Sequence, residues 1–127
     1  SRLVTNSVSC TSAFSQKAAA AAIQGPQDSV KMMLKEFKER SKIVVDGFND
    51  IKGISCIQPK GAFYAFPNIK ETGYKSQELS DALLNQGVAV LPGTSFGKYG
   101  EGYLRISFAN SRENLVKALN IIKSFLD

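Results

Sequence analysis

Residues 100–110, GEGYLRISFAN, alternate apolar and polar side chains with the period of two that is typical of a β-strand. The apolar positions are Leu104, Ile106 and Phe108, and the positions on the other side are Tyr103, Arg105 and Ser107. We therefore predict a strand that places one face in the core and carries an arginine on the opposite face.

Apolar residues recur at helical spacing in the longest periodic segment, which runs from Gln27 to about Asn49. Its apolar positions are Val30, Met33, Leu34, Phe37, Ser41, Val44, Val45 and Phe48, with Ile51 extending the pattern. The opposite side is rich in lysine, which is typical of a solvated helix face. An alanine-rich helix is predicted before it, from Ser12 to Gln24, and the pair Gly-Pro that follows should end that helix.

Two further helices are predicted nearer the end of the chain. The first begins at Lys75 or Ser76 and ends at Gln86, and its buried positions are Leu79, Ala82 and Leu83. The second follows a capping arrangement over 110–113, with Asn110 at the cap position. Its buried stripe comprises Leu115, Leu119, Ile122 and Leu126, widened by Ala118 and Phe125.

The remaining segments predict short strands and loops. Gly53–Phe66 is predicted as a β-hairpin whose turn uses Pro59 and a positive φ at Gly61. Val88–Leu91 is predicted as a buried strand that stops at the following proline. Ser1–Thr11 is predicted as an extended segment.

Composition narrows the possible functions. The 127 residues can form one modest domain, and a hydrophobic content of 43% argues against disorder. The net charge of +5 comes from basic residues spread along the chain, so no nucleic-acid partner is expected. The absence of histidine excludes Ser-His-Asp catalysis, and with two distant cysteines, Cys10 and Cys56, we expect no metal site. No membrane span or signal peptide is recognised, and we expect a cytoplasmic protein.

Arg105 is the candidate anion-binding residue, because a guanidinium held by a packed strand presents a fork of donors that suits a carboxylate or phosphate. The pattern leaves two structural alternatives open. Arg105 could lie on an edge strand and discourage aggregation, or it could pair with a nearby acid such as Glu101.

A phosphate-binding loop is suggested by Gly93, Gly97 and Lys98, but the spacing is one residue shorter than in the nucleotide-binding pattern. Tyr99 also stands where that pattern requires Ser or Thr. We therefore predict no nucleotide site in this loop.

Three motifs follow one another along the chain, PKGAFYAF at 59–66, GVAVLPGTSFG at 87–97 and GYLRISFA at 102–109. In this order and spacing they resemble the C-terminal part of class I/II aminotransferases, the pyridoxal-phosphate enzymes of the aspartate aminotransferase superfamily. The resemblance covers essentially the whole chain.

The resemblance implies an α/β fold: the C-terminal small domain of a fold-type I enzyme, with a long connecting helix and a small, mostly antiparallel sheet covered by helices. Residues 1–25 would end the large cofactor-binding domain, and residues 26–127 would form the small domain with the interdomain helix. Arg105 would bind the α-carboxylate of the amino-acid substrate. Phe63, with Gly61 of the same Gly-Ala-Phe motif, would line the substrate pocket.

For the intact enzyme, the resemblance implies pyridoxal 5'-phosphate as cofactor, amino acids and 2-oxo acids as substrates, and a homodimer. In the family, the Schiff-base lysine and the other cofactor-binding groups lie upstream of this region. We therefore expect no catalytic and no cofactor-binding residue in this chain, and no activity from the chain alone.

The sequences of the motifs are most similar to those of the aspartate aminotransferase branch, while alanine, aromatic and kynurenine-type aminotransferases share much of the pattern. Two other classes stay open. A ferredoxin-like RNA-binding module is one, although the aromatic and basic motif of an RNA-recognition strand is absent. A non-catalytic interaction domain that kept the fold is the other.

Overall fold

The structure is a computed structural model and describes residues 3, 7 and 10–127. The chain divides into two compact units, Ser1–Met33 and Leu34–Asp127. In the predicted extended segment 1–11, Leu3 and Ser7 are helical, so the prediction is wrong at these positions. Positions 1, 2, 4–6, 8 and 9 lie outside the described residues.

The first unit contains helix α1, Ala13–Gln24, with Ser12 at its N-cap as predicted. The helix ends at Gly25, whose backbone N–H donates to the carbonyl of Ala21 at 2.8 Å. None of the side chains of α1 is buried, so alanine propensity rather than core packing accounts for its helical conformation here.

Helix α2 covers Asp28–Asn49, which confirms the longest predicted helix. Its buried residues all lie in its second half: Ser41, Val44, Val45 and Phe48. In its first half the apolar face is open, because Val30, Met33 and Leu34 are 49%, 53% and 54% exposed.

The sheet of the second unit has three short strands, β1 (Tyr64–Ala65), β2 (Leu91–Pro92) and β3 (Leu104–Ser107), in the order β1-β3-β2. Both pairings are antiparallel, as the small antiparallel sheet of the predicted fold requires. The predicted arginine strand is β3, and its apolar residues Leu104 and Ile106 are buried. Because β3 lies in the centre, the edge-strand alternative for Arg105 is wrong.

The predicted hairpin over Gly53–Phe66 does not form. Ser55 makes an isolated antiparallel bridge with Asn68, through backbone hydrogen bonds of 3.0 and 2.7 Å, and β1 pairs with β3 instead. This pairing places Ala65 opposite Ile106, and both side chains are buried. The positive φ of the turn is at Ala62, at 59°, and not at Gly61.

The predicted strand Val88–Leu91 is shifted to Leu91–Pro92. Pro92 belongs to the strand because β2 is at the edge of the sheet, where a missing N–H is tolerated. Short 3-10 helices cover Lys70–Thr72 and Gly93–Phe96.

Helices α3, Ser76–Asn85, and α4, Arg112–Leu126, confirm the two predicted late helices. The cap of α4 is Ser111 rather than Asn110, because the Ser111 hydroxyl accepts from the backbone N–H of Asn114 at 3.2 Å. The core joins these helices to the sheet and to the second half of α2. Its largest fully buried side chains include Phe48, Ile69, Leu79, Leu83, Leu104, Phe108 and Ile122. Among the residues described, no helix combines the length and apolar composition needed to cross a membrane.

Glu36 of α2 binds two arginines, Arg40 of the same helix and Arg112 of α4. Its carboxylate accepts from Arg40 at 2.9 Å and from Nε and Nη2 of Arg112 at 3.0 and 2.5 Å. The hydrogen bonds from Arg112 and then from Arg40 lower the pKa of Glu36 from 4.5 to about 2. A lowered folded-state pKa means that ionised Glu36 stabilises the fold above its ordinary pKa and loses this effect as the pH falls.

We expect Glu36→Gln to flatten the loss of stability between about pH 4.5 and about pH 2. The measurement is the urea-unfolding midpoint of wild type and variant across that range. Glu39→Gln is the matched control, since it makes the same charge change on the same helix at an exposed position. An unchanged pH dependence in Glu36→Gln would contradict a role for this ion-pair network.

Candidate functional site

Arg105 lies in the central strand β3, directly opposite Leu91 of β2, and is half-buried. Leu104 and Ile106, its neighbours in sequence, point into the core. The alternation of the strand therefore directs Arg105 to the outer face of the sheet. Because β3 is hydrogen-bonded to a strand on each side, the backbone that carries the Arg105 side chain is held in place.

Two aromatic rings contact the guanidinium. The central carbon of Arg105 lies 4.4 Å from the ring centroid of Tyr64 and 4.0 Å from that of Phe96. Tyr64 belongs to β1, and Phe96 ends the 3-10 helix that follows β2. Both distances are well within the range of favourable cation-π contact.

Further aromatic residues continue this face of the sheet. Phe66 stacks on Tyr103 with a centroid distance of 5.3 Å, and meets the edge of Phe96 at 6.3 Å. We call Tyr64, Phe66, Phe96 and Tyr103 the aromatic face. Beside it, a cavity of about 210 Å³ is lined by Tyr64, Arg105, Ser107 and the segment 89–91.

No aspartate or glutamate among the described residues forms an ion pair with Arg105, and none of its guanidinium donors has a hydrogen-bond partner there. Glu101, the predicted alternative partner, instead accepts from the backbone N–H of Ser76 at 2.9 Å and from that of Gly102 at 3.1 Å. The alternative in which Arg105 pairs with Glu101 is therefore wrong.

Ser76 and Glu101 tie the start of α3 to the turn before β3. The buried hydroxyl of Ser76 accepts from the backbone N–H groups of Gly102 at 2.8 Å and of Tyr103 at 3.2 Å. The backbone N–H of Ser76, bound to the carboxylate, holds the pKa of Glu101 below its ordinary value. These bonds hold the turn that ends at Tyr103, two residues before Arg105 and directly before β3.

A second constraint acts on the loop that carries Phe96. Gly93 and Gly100 approach so closely that a Cβ added to either would overlap the backbone of the other. The N–H of Gly93 also donates to the carbonyl of Tyr103 at 2.8 Å. Glycine is required at both positions by this contact between backbones, which closes the loop next to β3.

Gly61 and Phe63, the two predicted pocket residues, lie apart from the guanidinium contacts. The ring of Phe63 is 4.4 Å from that of Tyr64 and 6.4 Å from that of Phe37. Gly61 lines a different cavity of about 190 Å³, whose walls share no residue with the cavity beside Arg105.

Sequence reasoning missed Tyr64, Phe96 and the role of Ser76. A signal existed for Tyr64, because the alternation Ala62, Tyr64, Phe66 gives an aromatic face to the strand. It could not be connected to Arg105 without the register that pairs Tyr64 with Ser107. Phe96 carries no periodic signal, since it lies in a loop closed by the two glycines.

A cofactor held as a Schiff base requires a lysine enclosed in a site. In the part of the chain that the structure describes, every lysine is exposed except Lys123, which pairs with Asp50. These residues do not by themselves fit a cofactor of that kind. No cluster of three or more His, Cys, Asp or Glu side chains among the described residues is placed to hold a metal ion.

The second unit is a small α/β domain whose sheet carries Arg105 with no acidic partner among the described residues. A family model, Aminotransferase class I and II, matches residues 2–122. The chain therefore belongs to the class I and II aminotransferase family, and its fold is that of a small α/β domain of a fold-type I enzyme.

Individual relatives agree with this assignment. The chain is 50% identical to an aspartate aminotransferase of Pyrococcus horikoshii over 100 residues, which is 78% of this chain and 26% of that protein. It is 44% identical over 118 residues to the putative aminotransferase YugH of Bacillus subtilis, covering 92% of this chain and 30% of that protein. The crystal structure of an aromatic aminotransferase from Pyrococcus horikoshii has a TM-score of 0.89 and 39% identity, covering 98% of this chain and 34% of that chain. The chain thus spans about a quarter to a third of the length of these relatives.

We expect Ser76→Ala to destabilise the fold by about 1 to 3 kcal/mol, because it removes two hydrogen bonds, those that the Ser76 hydroxyl accepts from the N–H groups of Gly102 and Tyr103. Urea unfolding measures the change. Ser80→Ala is the control, since Ser80 is also buried on α3 but only donates one hydrogen bond, to the carbonyl of Val90. An equal or smaller loss in Ser76→Ala than in Ser80→Ala would contradict the role assigned to Ser76.

Proposed function

We propose that the intact protein is a pyridoxal-phosphate-dependent aminotransferase of aspartate aminotransferase type, which transfers an amino group between an amino acid and a 2-oxo acid. In this proposal Arg105 binds the α-carboxylate of the substrate. The observation that carries it is the guanidinium on the outer face of the central strand, which makes no ion pair among the described residues.

The chemistry of a carboxylate suits this arrangement. A carboxylate accepts two parallel hydrogen bonds from one planar guanidinium, and the pair is fixed in direction as well as in distance. Arg105 would thereby fix the orientation of the substrate's α-carbon, which is a large part of what a positioning residue contributes to rate. Phe63 and Gly61 would line the pocket further out, with Phe63 limiting access of water.

Pyridoxal phosphate, when bound, supplies the electron sink for amino-group transfer. The lysine that carries it belongs, in this proposal, to the part of the protein outside this chain. Residues 1–25 would end the large domain and residues 26–127 would form the small domain. The intact protein would be a cytoplasmic homodimer.

Names of relatives support carboxylate recognition without fixing the amino acid. They include aspartate, aromatic-amino-acid and N-acetyl-LL-diaminopimelate aminotransferases. Substrates of all three kinds carry an α-carboxylate beside the reacting amino group, while their side chains differ. We propose aspartate as the first substrate to test, with alanine and aromatic amino acids as the alternatives.

We expect Arg105→Lys in the full-length protein to lower kcat/KM for the amino acid by roughly 30- to 1,000-fold. Lysine keeps the charge but loses the two-point fork, a difference of about 2 to 4 kcal/mol. Steady-state kinetics and the melting temperature should be measured together.

Arg112→Lys is the matched control, because the guanidinium of Arg112 donates its hydrogen bonds to Glu36 and joins α4 to α2. This control should change the melting temperature more than kcat/KM. Near-normal kcat/KM in a folded Arg105→Lys protein would remove Arg105 from the substrate site.

We also expect the chain of 127 residues alone to show no transamination when mixed with pyridoxal phosphate. Its described lysines are solvated or, for Lys123, paired with Asp50, and do not enclose a cofactor. Absorption spectroscopy tests binding, and an assay with aspartate and 2-oxoglutarate tests turnover. Stoichiometric cofactor binding with turnover would contradict the proposed division of roles, and a full-length protein without turnover would favour the non-catalytic alternative.

A further inference from the structure

Two aromatic rings contact the guanidinium of Arg105. Its central carbon is 4.4 Å from the centroid of Tyr64 and 4.0 Å from that of Phe96. The rings come from β1 and from the loop after β2, and these two strands are the neighbours of β3 in the sheet. The guanidinium is therefore restrained by a contact from each neighbouring element.

Aromatic rings restrain a cation differently from an acid. A carboxylate partner would orient the guanidinium but would occupy its donors and offset its charge. A ring attracts the cation through its quadrupole and does not neutralise its charge. The guanidinium of Arg105, which makes no hydrogen bond among the described residues, keeps its donors for a carboxylate, which can accept two bonds from them.

We infer that Tyr64 and Phe96 are positioning residues, which hold the plane of Arg105 so that its in-plane donors meet the carboxylate. This inference rests on the proposed function of Arg105. Burial does not account for the two rings, since Tyr64 and Phe96 stay 37% and 47% exposed on the outer face of the sheet. Each ring is also held in place, Tyr64 by its contact with Phe63 and Phe96 by its edge contact with Phe66.

The experiment compares single-turnover rates of the full-length enzyme with its best amino acid and with the amine that lacks only the α-carboxylate. The ratio of the two rates reports carboxylate recognition and is insensitive to a general loss of folded enzyme. We expect Phe96→Leu to lower this ratio by roughly 3- to 30-fold, the range of one cation-π contact. Phe96→Tyr, which keeps the ring, should recover most of it.

Tyr99→Leu is the control, because Tyr99 lies in the same loop with its ring beside Lys98, 4.9 Å away, and is 84% exposed. Its ratio should equal that of wild type. Tyr64→Leu provides a second test should Phe96→Leu fail to fold, and melting temperatures identify that case.

Three results would overturn the inference, and they are distinguishable. An unchanged ratio in folded Phe96→Leu and Tyr64→Leu, with a reduced ratio in Arg105→Lys, would reject the positioning role and leave the proposed function standing. An unchanged ratio in Arg105→Lys would reject both. A fall in Phe96→Leu that Phe96→Tyr does not recover would also count against a role for the ring.

Discussion

The pairing of β3 along both of its edges is the constraint on which the second unit depends. Leu104 and Ile106 are buried by this pairing, and the residue between them is an arginine. A slip of one residue would turn Arg105 into the core and its apolar neighbours into water. Burying an unpaired guanidinium is far more costly than losing one strand hydrogen bond, so the register has one acceptable solution. The direction of Arg105 is thus fixed by the hydrophobic core on the other side of the sheet.

Strand length contributes little to holding this register, because β1 and β2 have two residues each. The register is held at its ends by contacts outside the ladder. Ser76 and Glu101 bind the turn that enters β3, and the approach of Gly93 to Gly100 closes the loop beside it. Helix α3 therefore takes part in the site without contributing a side chain to it.

Sequence periodicity predicted the helices and β3 because each of these elements has its own repeat of apolar positions. The second half of α2 and the buried stripe of α4 follow directly from residues spaced three and four apart. The hairpin over Gly53–Phe66 was wrong for the opposite reason: local turn chemistry favoured it, and a partner about 40 residues further along the chain competed successfully for β1. The same distance hid Tyr64, whereas Phe96 lies in a loop without a periodic signal. The arginine could be recognised as a candidate from its strand alone, but its surroundings required the tertiary pairing.

The arginines at 40, 105 and 112 differ in their partners. Arg40 and Arg112 both bind Glu36: the first contact lies within α2, and the second joins α2 to α4. Arg105 has aromatic neighbours and, among the described residues, no carboxylate, although Glu101 lies only four positions away in sequence. That nearby acid is kept elsewhere by the N–H groups of Ser76 and Gly102. An internal ion pair would have stabilised the domain at the expense of its affinity for an anion. The fold instead orients the guanidinium with rings, which leaves both its charge and its donors for a ligand.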